Sequence, residues 1–177
     1  LNGVAERTPQ LIGWNSVGFD LPVLHQRAII NKLSFPKLQR PSKPWEGADY
    51  FTKGSDMNLD LLDLISSHLG KSKATLDEFA RACGIPGKMG VSGDQVAKLW
   101  FAGEHRKIVD YNECDTSTTY LVWLEMLKFS GHITEEDYVV EQAMFRSILE
   151  QKVTNGADHL RAFIIEWDRL QGNDPVI

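Results

Sequence analysis

With two cysteines in 177 residues, Cys83 and Cys114, the chain has too few for a disulfide framework or a zinc cluster. A reducing, cytoplasmic setting is the expectation that follows. Long apolar runs are missing too. Nowhere do eighteen apolar residues stand together, so no membrane-spanning helix and no membrane partner are expected. Positive charge is in deficit: 19 Lys and Arg against 24 Asp and Glu give a net charge of −5. That balance argues against holding nucleic acid by bulk charge alone. The five histidines lack paired metal-ligand spacing, and each reads as a surface or capping residue. Two motif imitations also fall short. Gly84-Ile-Pro-Gly-Lys88 has the wrong glycine spacing for a phosphate loop and no Ser or Thr after the lysine. Asp56-x-Asn58-x-Asp60 lacks the turn glycine and closing glutamate of a calcium loop.

What is present is the composition of an ordinary globular protein, 42% apolar and 24% charged. The length suits one compact domain. Charge is uneven along it. Between His25 and Gly54, Arg27, Lys32, Lys37, Arg40, Lys43 and Lys53 face only Glu46 and Asp49. Such a run is either a solvated loop or a local phosphate-facing strip. The chain begins at Leu1 and soon enters a strand-like run, so a portion upstream is expected to be missing.

Residues 9–14 read as a short buried strand. Asp20 then stands at the N-cap position of a helix running to about Leu33, with Pro22 in its first turn and Leu21, Leu24 and Ala28 on one face. The proline-punctuated stretch 34–55 reads as a long structured loop. Met57 to Leu61 gives a second strand, with Asp60 or Asp63 near the next helix start. Capping boxes at Thr75–Glu78, Ser92–Gln95 and Thr134–Asp137 open three helices. A long helix spans Glu104 to Ser130, and a last one about Ala157–Leu170. Two strands form a marginal sheet, and parallel ones need cover and neighbours.

The carboxylates carry the chemistry. In Tyr111-Asn-Glu-Cys-Asp115, a spacing of four puts phenol and carboxylate on one helix face, where the pair can hold a metal ion and orient its water. Tyrosine and aspartate four apart also occur often by chance, and Asp20 alone is a cap by default. Together with Asn15 and Phe19, however, the order of these residues resembles the second and third motifs of the DnaQ-like (DEDD) 3′–5′ exonucleases of the tyrosine subclass. The likeness extends to "LIGWNSVGFDLPVL", "NLDLLDLI", "ATLDEFARACGIPGKMGVSGDQVAKLW", "IVDYNECDTSTTYLVWLEML" and "HLRAFIIEW". These blocks are similar to those of the predicted exonucleases related to the proofreading domain of family-B DNA polymerases, and they cover Pro9 to Trp167.

The resemblance implies an α/β, RNase H-like fold, helix-rich, with N-terminal strands expected upstream. Residues 1–131 would form the exonuclease core and 132–177 a helical extension packed on it. It further implies hydrolysis with two Mg²⁺ or Mn²⁺ ions roughly 4 Å apart. By that likeness Asp20 and Asp115 are metal ligands and Tyr111 positions the attacking water. Asn15 and Phe19 would touch the terminal nucleotide, and Lys88 would sit near its phosphate. The expected partner is nucleic acid, single-stranded DNA 3′ ends, cleaved to nucleoside monophosphates. Two departures stand out. The family's first motif, Asp-x-Glu, is not found ahead of Asp20, where Glu6 is the lone acid. With two of four ligands absent, the 177 residues alone are expected to be inactive. Thr118 stands where the family often has asparagine. The competing readings are a nucleic-acid-binding module that has lost catalysis, and a helical interaction protein whose acids are caps.

Overall fold

The structure, a computed structural model, describes residues 6–35, 43, 48–66 and 74–172. Much of the expected loop, including Lys37, Arg40 and Glu46 of the basic stretch, lies outside the described residues. The chain divides into two compact units, Leu1–Lys73 and Ala74–Ile177.

In the first unit, strand β1 (Leu11–Gly13) pairs in parallel with β2 (Asn58–Asp60), Ile12 lying opposite Leu59. Helix α1 (Asp20–Ile30) follows β1, and the short α2 (Leu61–Ile65) follows β2 directly. Leu21, Ala28, Tyr50, Leu61 and Leu62 are buried here. Tyr50 is 1% exposed, and its hydroxyl donates to the Pro9 carbonyl at 2.8 Å, so the ring fills the core while its polar end is satisfied. Both expected strands form, each shorter than its apolar run. Two expectations about α1 need correction. Leu24 is 45% exposed and leaves the buried stripe to Leu21 and Ala28. Asp20 is the first helical residue, while Phe19 occupies the N-cap position and makes no side-chain cap bond.

The second unit is helical among its described residues: α3 (Leu76–Ala82), a 3₁₀ turn Gly93–Gln95, α4 (Val96–Phe101), α5 (His105–Phe129), α6 (Glu135–Thr154) and α7 (Asp158–Leu170). The capping box at Thr75 is made: Glu78 N–H donates to the Thr75 hydroxyl oxygen at 3.2 Å, and Thr75 N–H to the Glu78 carboxylate at 2.7 Å. The box at Thr134 and Asp137 repeats the arrangement. Helix α5 is the spine, packed by α3, α4, α6 and α7. Leu160, Phe163 and Trp167, at helical spacing on α7, are all under 5% exposed and join Leu121, Val122, Leu124 and Leu149 in the core. Arg146 clamps α6 to α7 by a bidentate pair with Asp168 at 2.6 and 2.8 Å. No helix among the described residues is long and apolar enough to cross a membrane.

Candidate active site

The candidate residues fall into both units. In the first unit they sit on the turn from β1 into α1. Asn15 holds a left-handed backbone, φ 58°, a conformation asparagine tolerates better than most residues. Its side chain folds over Gly18, where an added Cβ would stand 2.4 Å from the Asn15 Oδ1 and would displace the amide. Phe19 is 61% exposed and Asp20 is exposed beside it.

What holds this turn is a residue the sequence reading placed only near a helix start. The Asp60 carboxylate, 5% exposed at the end of β2, accepts from Asn15 N–H at 2.8 Å and Val17 N–H at 3.0 Å. It also caps α2 by accepting from Leu62 N–H at 3.2 Å. Parallel pairing of β1 with β2 brings Asp60 opposite Gly13, beside the turn that follows. Ser16 adds a buried bond from its hydroxyl to the Asn58 side-chain oxygen, 3.1 Å. The backbone before Asp20 is therefore fixed although the Asp20 side chain is exposed. Period and capping rules can find the cap; they cannot find a clamp that depends on strand register.

In the second unit, Tyr111 and Asp115 come together, and the Lys88 charge is felt at Asp115. The helix spacing does what was expected of it: Tyr111 hydrogen-bonds Asp115 one turn on. Burial pushes the Asp115 carboxyl above its ordinary value, while the Tyr111 bond and the Lys88 charge pull it back and Asp77 adds to the rise. Lys88 itself is exposed, on the loop after α3. Thr118, 1% exposed, donates its hydroxyl to the Pro86 carbonyl at 2.8 Å, so threonine at this position ties α5 to the lysine's loop.

One histidine departs from the expectation of surface or capping residues. His159, at the start of α7, lies between two α5 carboxylates, Nε2 2.7 Å from Glu113 and Nδ1 3.3 Å from Asp110. Ligand atoms of these three residues fall within 4.8 Å of one another, a spacing a metal ion could fill. Cations are already there, however. Arg106 lies 2.8 Å from Asp110 and Lys152 2.8 Å from Glu113. The group is an ion-pair network joining α7 to α5, beside a cleft of about 530 Å³. Spacing along the sequence could not reveal it, because His159 comes from a different helix.

Asp20 in the first unit and Asp115 in the second each offer oxygen donors of the kind a hard divalent ion takes. No Asp-x-Glu occurs in the 177 residues. Cys114, next to Asp115, is buried and its thiol is pushed up to about 11, chiefly by desolvation, which makes it a packing residue and not a nucleophile.

Among curated proteins and among solved structures, none matches the chain. A family model does, over residues 1–167, and with it the likeness read from the motif blocks is settled: the chain belongs to the family of predicted 3′–5′ exonucleases related to the exonuclease domain of PolB.

Proposed function

We propose that the chain belongs to a metal-dependent 3′–5′ exonuclease of RNase H-like fold, acting on single-stranded DNA ends and releasing nucleoside monophosphates. Residues 1–131 are its core and 132–177 a helical extension. The observation that carries this reading is the hydrogen-bonded Tyr111–Asp115 pair with its desolvated carboxyl, lying near Lys88. A carboxylate kept from water and left with raised proton affinity is costly to stability, and such costs concentrate at functional sites.

Asp115 and Asp20 would hold Mg²⁺ or Mn²⁺, which when bound supplies an activated water and stabilises the leaving oxygen. The Tyr111 phenol orients the attacking water through the hydrogen bond it can share with it. The Lys88 ammonium offsets phosphate charge. Phe19 presents an exposed ring on which a terminal base can stack, and the Asn15 amide offers donor and acceptor to the sugar or backbone. A reducing, cytoplasmic setting accompanies this reading, since Cys83 and Cys114 are both free thiols.

Two of the family's four carboxylates are not in the sequence, so these 177 residues alone are expected to release no nucleotide. A 3′-labelled oligonucleotide incubated with Mg²⁺ or Mn²⁺ tests this. The chain should be inert, and a longer protein carrying Asp-x-Glu ahead of β1 should shorten the substrate stepwise. Turnover by the 177 residues would overthrow the ligand assignment. A longer protein that binds the oligonucleotide without cutting it would favour the second reading, a binding module that has lost catalysis. The missing Asp-x-Glu is what keeps that reading in play.

A further inference from the structure

The loop that carries Lys88 is tied down on both sides. From α5, the Thr118 hydroxyl donates to the Pro86 carbonyl at 2.8 Å. From the first turn of α3, the Asp77 carboxylate accepts the backbone N–H of Lys88 at 2.7 Å. The same oxygen accepts from Arg81 Nε at 2.9 Å, one helical turn on. These bonds lower the Asp77 carboxyl from its ordinary value, the Arg81 bond contributing most, so the acceptor carries negative charge near neutral pH.

Between the two ties lies Gly87, where an added Cβ would stand 2.0 Å from the Asp77 Oδ1. Only a residue without a side chain lets the loop pass this close to the carboxylate. A lone exposed lysine on a loose loop could serve no particular place. Here Pro86 and Gly87 are buried, the Lys88 backbone is bonded to a charge, and the lysine's own charge is felt at Asp115.

We propose that Asp77 is a positioning residue: by holding the Lys88 backbone N–H it keeps the Lys88 ammonium where a substrate phosphate lies beside Asp115. The inference rests on the exonuclease reading and adds to it a residue outside the resemblance-derived set. Fixing the Lys88 backbone removes freedom that a phosphate contact would otherwise have to freeze.

The test uses a 5′-fluorescein oligothymidylate and the 177-residue chain in Ca²⁺, with anisotropy read across a KCl series. Loss of one phosphate contact to a single strand lowers the slope of log K against log salt by about 0.7. Lys88→Ala should show that drop. Asp77→Ala should show the same drop with the lysine intact, and the double variant should fall no further. Asp77→Asn, which keeps an acceptor oxygen, should restore the wild-type slope. A simple loss of stability would leave the slope where it was. In parallel, hydrogen exchange at the Lys88 amide should quicken in Asp77→Ala and stay slow in Asp77→Asn, with no nucleic acid present. An unchanged slope in Asp77→Ala beside a lowered one in Lys88→Ala would overturn the positioning role alone, as would an unchanged Lys88 amide. No binding by the wild type, or an unchanged slope in Lys88→Ala, would sink the phosphate reading of Lys88 and this inference with it.

Discussion

In the unit up to Lys73 the candidate carboxylate, Asp20, is exposed at the first turn of α1, while in the unit from Ala74 onward Asp115 is half-buried mid-helix and bonded by Tyr111. The first arrangement costs the protein little. The second costs it something at every neutral pH, because burial opposes the ionised form. Yet both units use the same device beneath the candidates. A second aspartate accepts backbone N–H: Asp60 fixes the turn that carries Asn15 and leads to Asp20, and Asp77 fixes the loop that carries Lys88. A carboxylate is well suited to this, since it accepts several bonds and a charged acceptor strengthens each. The difference in exposure concerns Asp20 and Asp115, and the likeness concerns how the loops carrying Asn15 and Lys88 are held.

The largest effect expected from disturbing that comparison is on turnover. In a protein carrying the upstream Asp-x-Glu, Asp115→Ala should lower the rate of nucleotide release by about a thousandfold or more, as loss of several kcal/mol of metal-borne stabilisation requires. Its far-ultraviolet circular dichroism should be unchanged, because alanine favours a helix interior. A variant that keeps a tenth of the rate would remove Asp115 from the ligand set.

Next comes the clamp of the first unit. Asp60→Ala leaves the Asn15, Val17 and Leu62 N–H groups without their charged acceptor, and should destabilise the chain by about 3 kcal/mol in urea unfolding. Asp60→Asn keeps one acceptor oxygen and should lose less. Equal losses in the two variants would show that the site needs charge and not acceptor geometry.

Asp115→Asn sharpens the contrast through pH. Burial raises the Asp115 carboxyl, so its folded-state proton affinity exceeds that of the unfolded chain. A group shifted in that direction contributes its stability below the unfolded value and loses it as pH rises through the folded one. At neutral pH the ionised side chain is therefore a burden that the amide escapes. Asp115→Asn should melt above the wild type at neutral pH, and the gap should close as pH falls through the carboxylate range. A gap constant across that range would mean that burial does not set the difference.

How much of this was legible in the sequence follows the range of the interactions. Helix starts at Thr75 and Thr134 are set by groups three residues apart, and both capping boxes form as read. The Tyr111–Asp115 pair is one helical turn, so spacing alone predicts it. The clamps are different in kind. Asp60 reaches Asn15 only because β2 pairs in parallel with β1, and Asp77 reaches Lys88 only because the loop folds back over Gly87. His159 meets Glu113 through the packing of α7 on α5. Such contacts are fixed by tertiary register, which local patterning does not contain. Leu24 shows the same limit from the apolar side: helical period put it on the buried face, and packing left it exposed.

The smallest effect separates two roles that local sequence rules had merged in one residue. As an N-cap, Asp20 would contribute about 1 kcal/mol. In the structure the N-cap position belongs to Phe19, which makes no side-chain cap bond, and Asp20 is an exposed first-turn residue. A carboxylate in the first turn is attracted to the helix N-terminus by about 0.5 kcal/mol at an exposed site, an attraction weakened by salt. Asp20→Ala should therefore shift the urea midpoint less than loss of an N-cap would, and the shift should shrink as salt is raised. In a protein with the full ligand set, the same substitution should still cost most of the turnover. A loss of stability as large as that of Asp60→Ala would return Asp20 to a structural role. A small loss with turnover intact would leave Asp115 without its proposed partner. Only a nearly silent effect on folding, joined to a severe one on hydrolysis, fits a carboxylate kept at the helix start for its ligand and not for the helix.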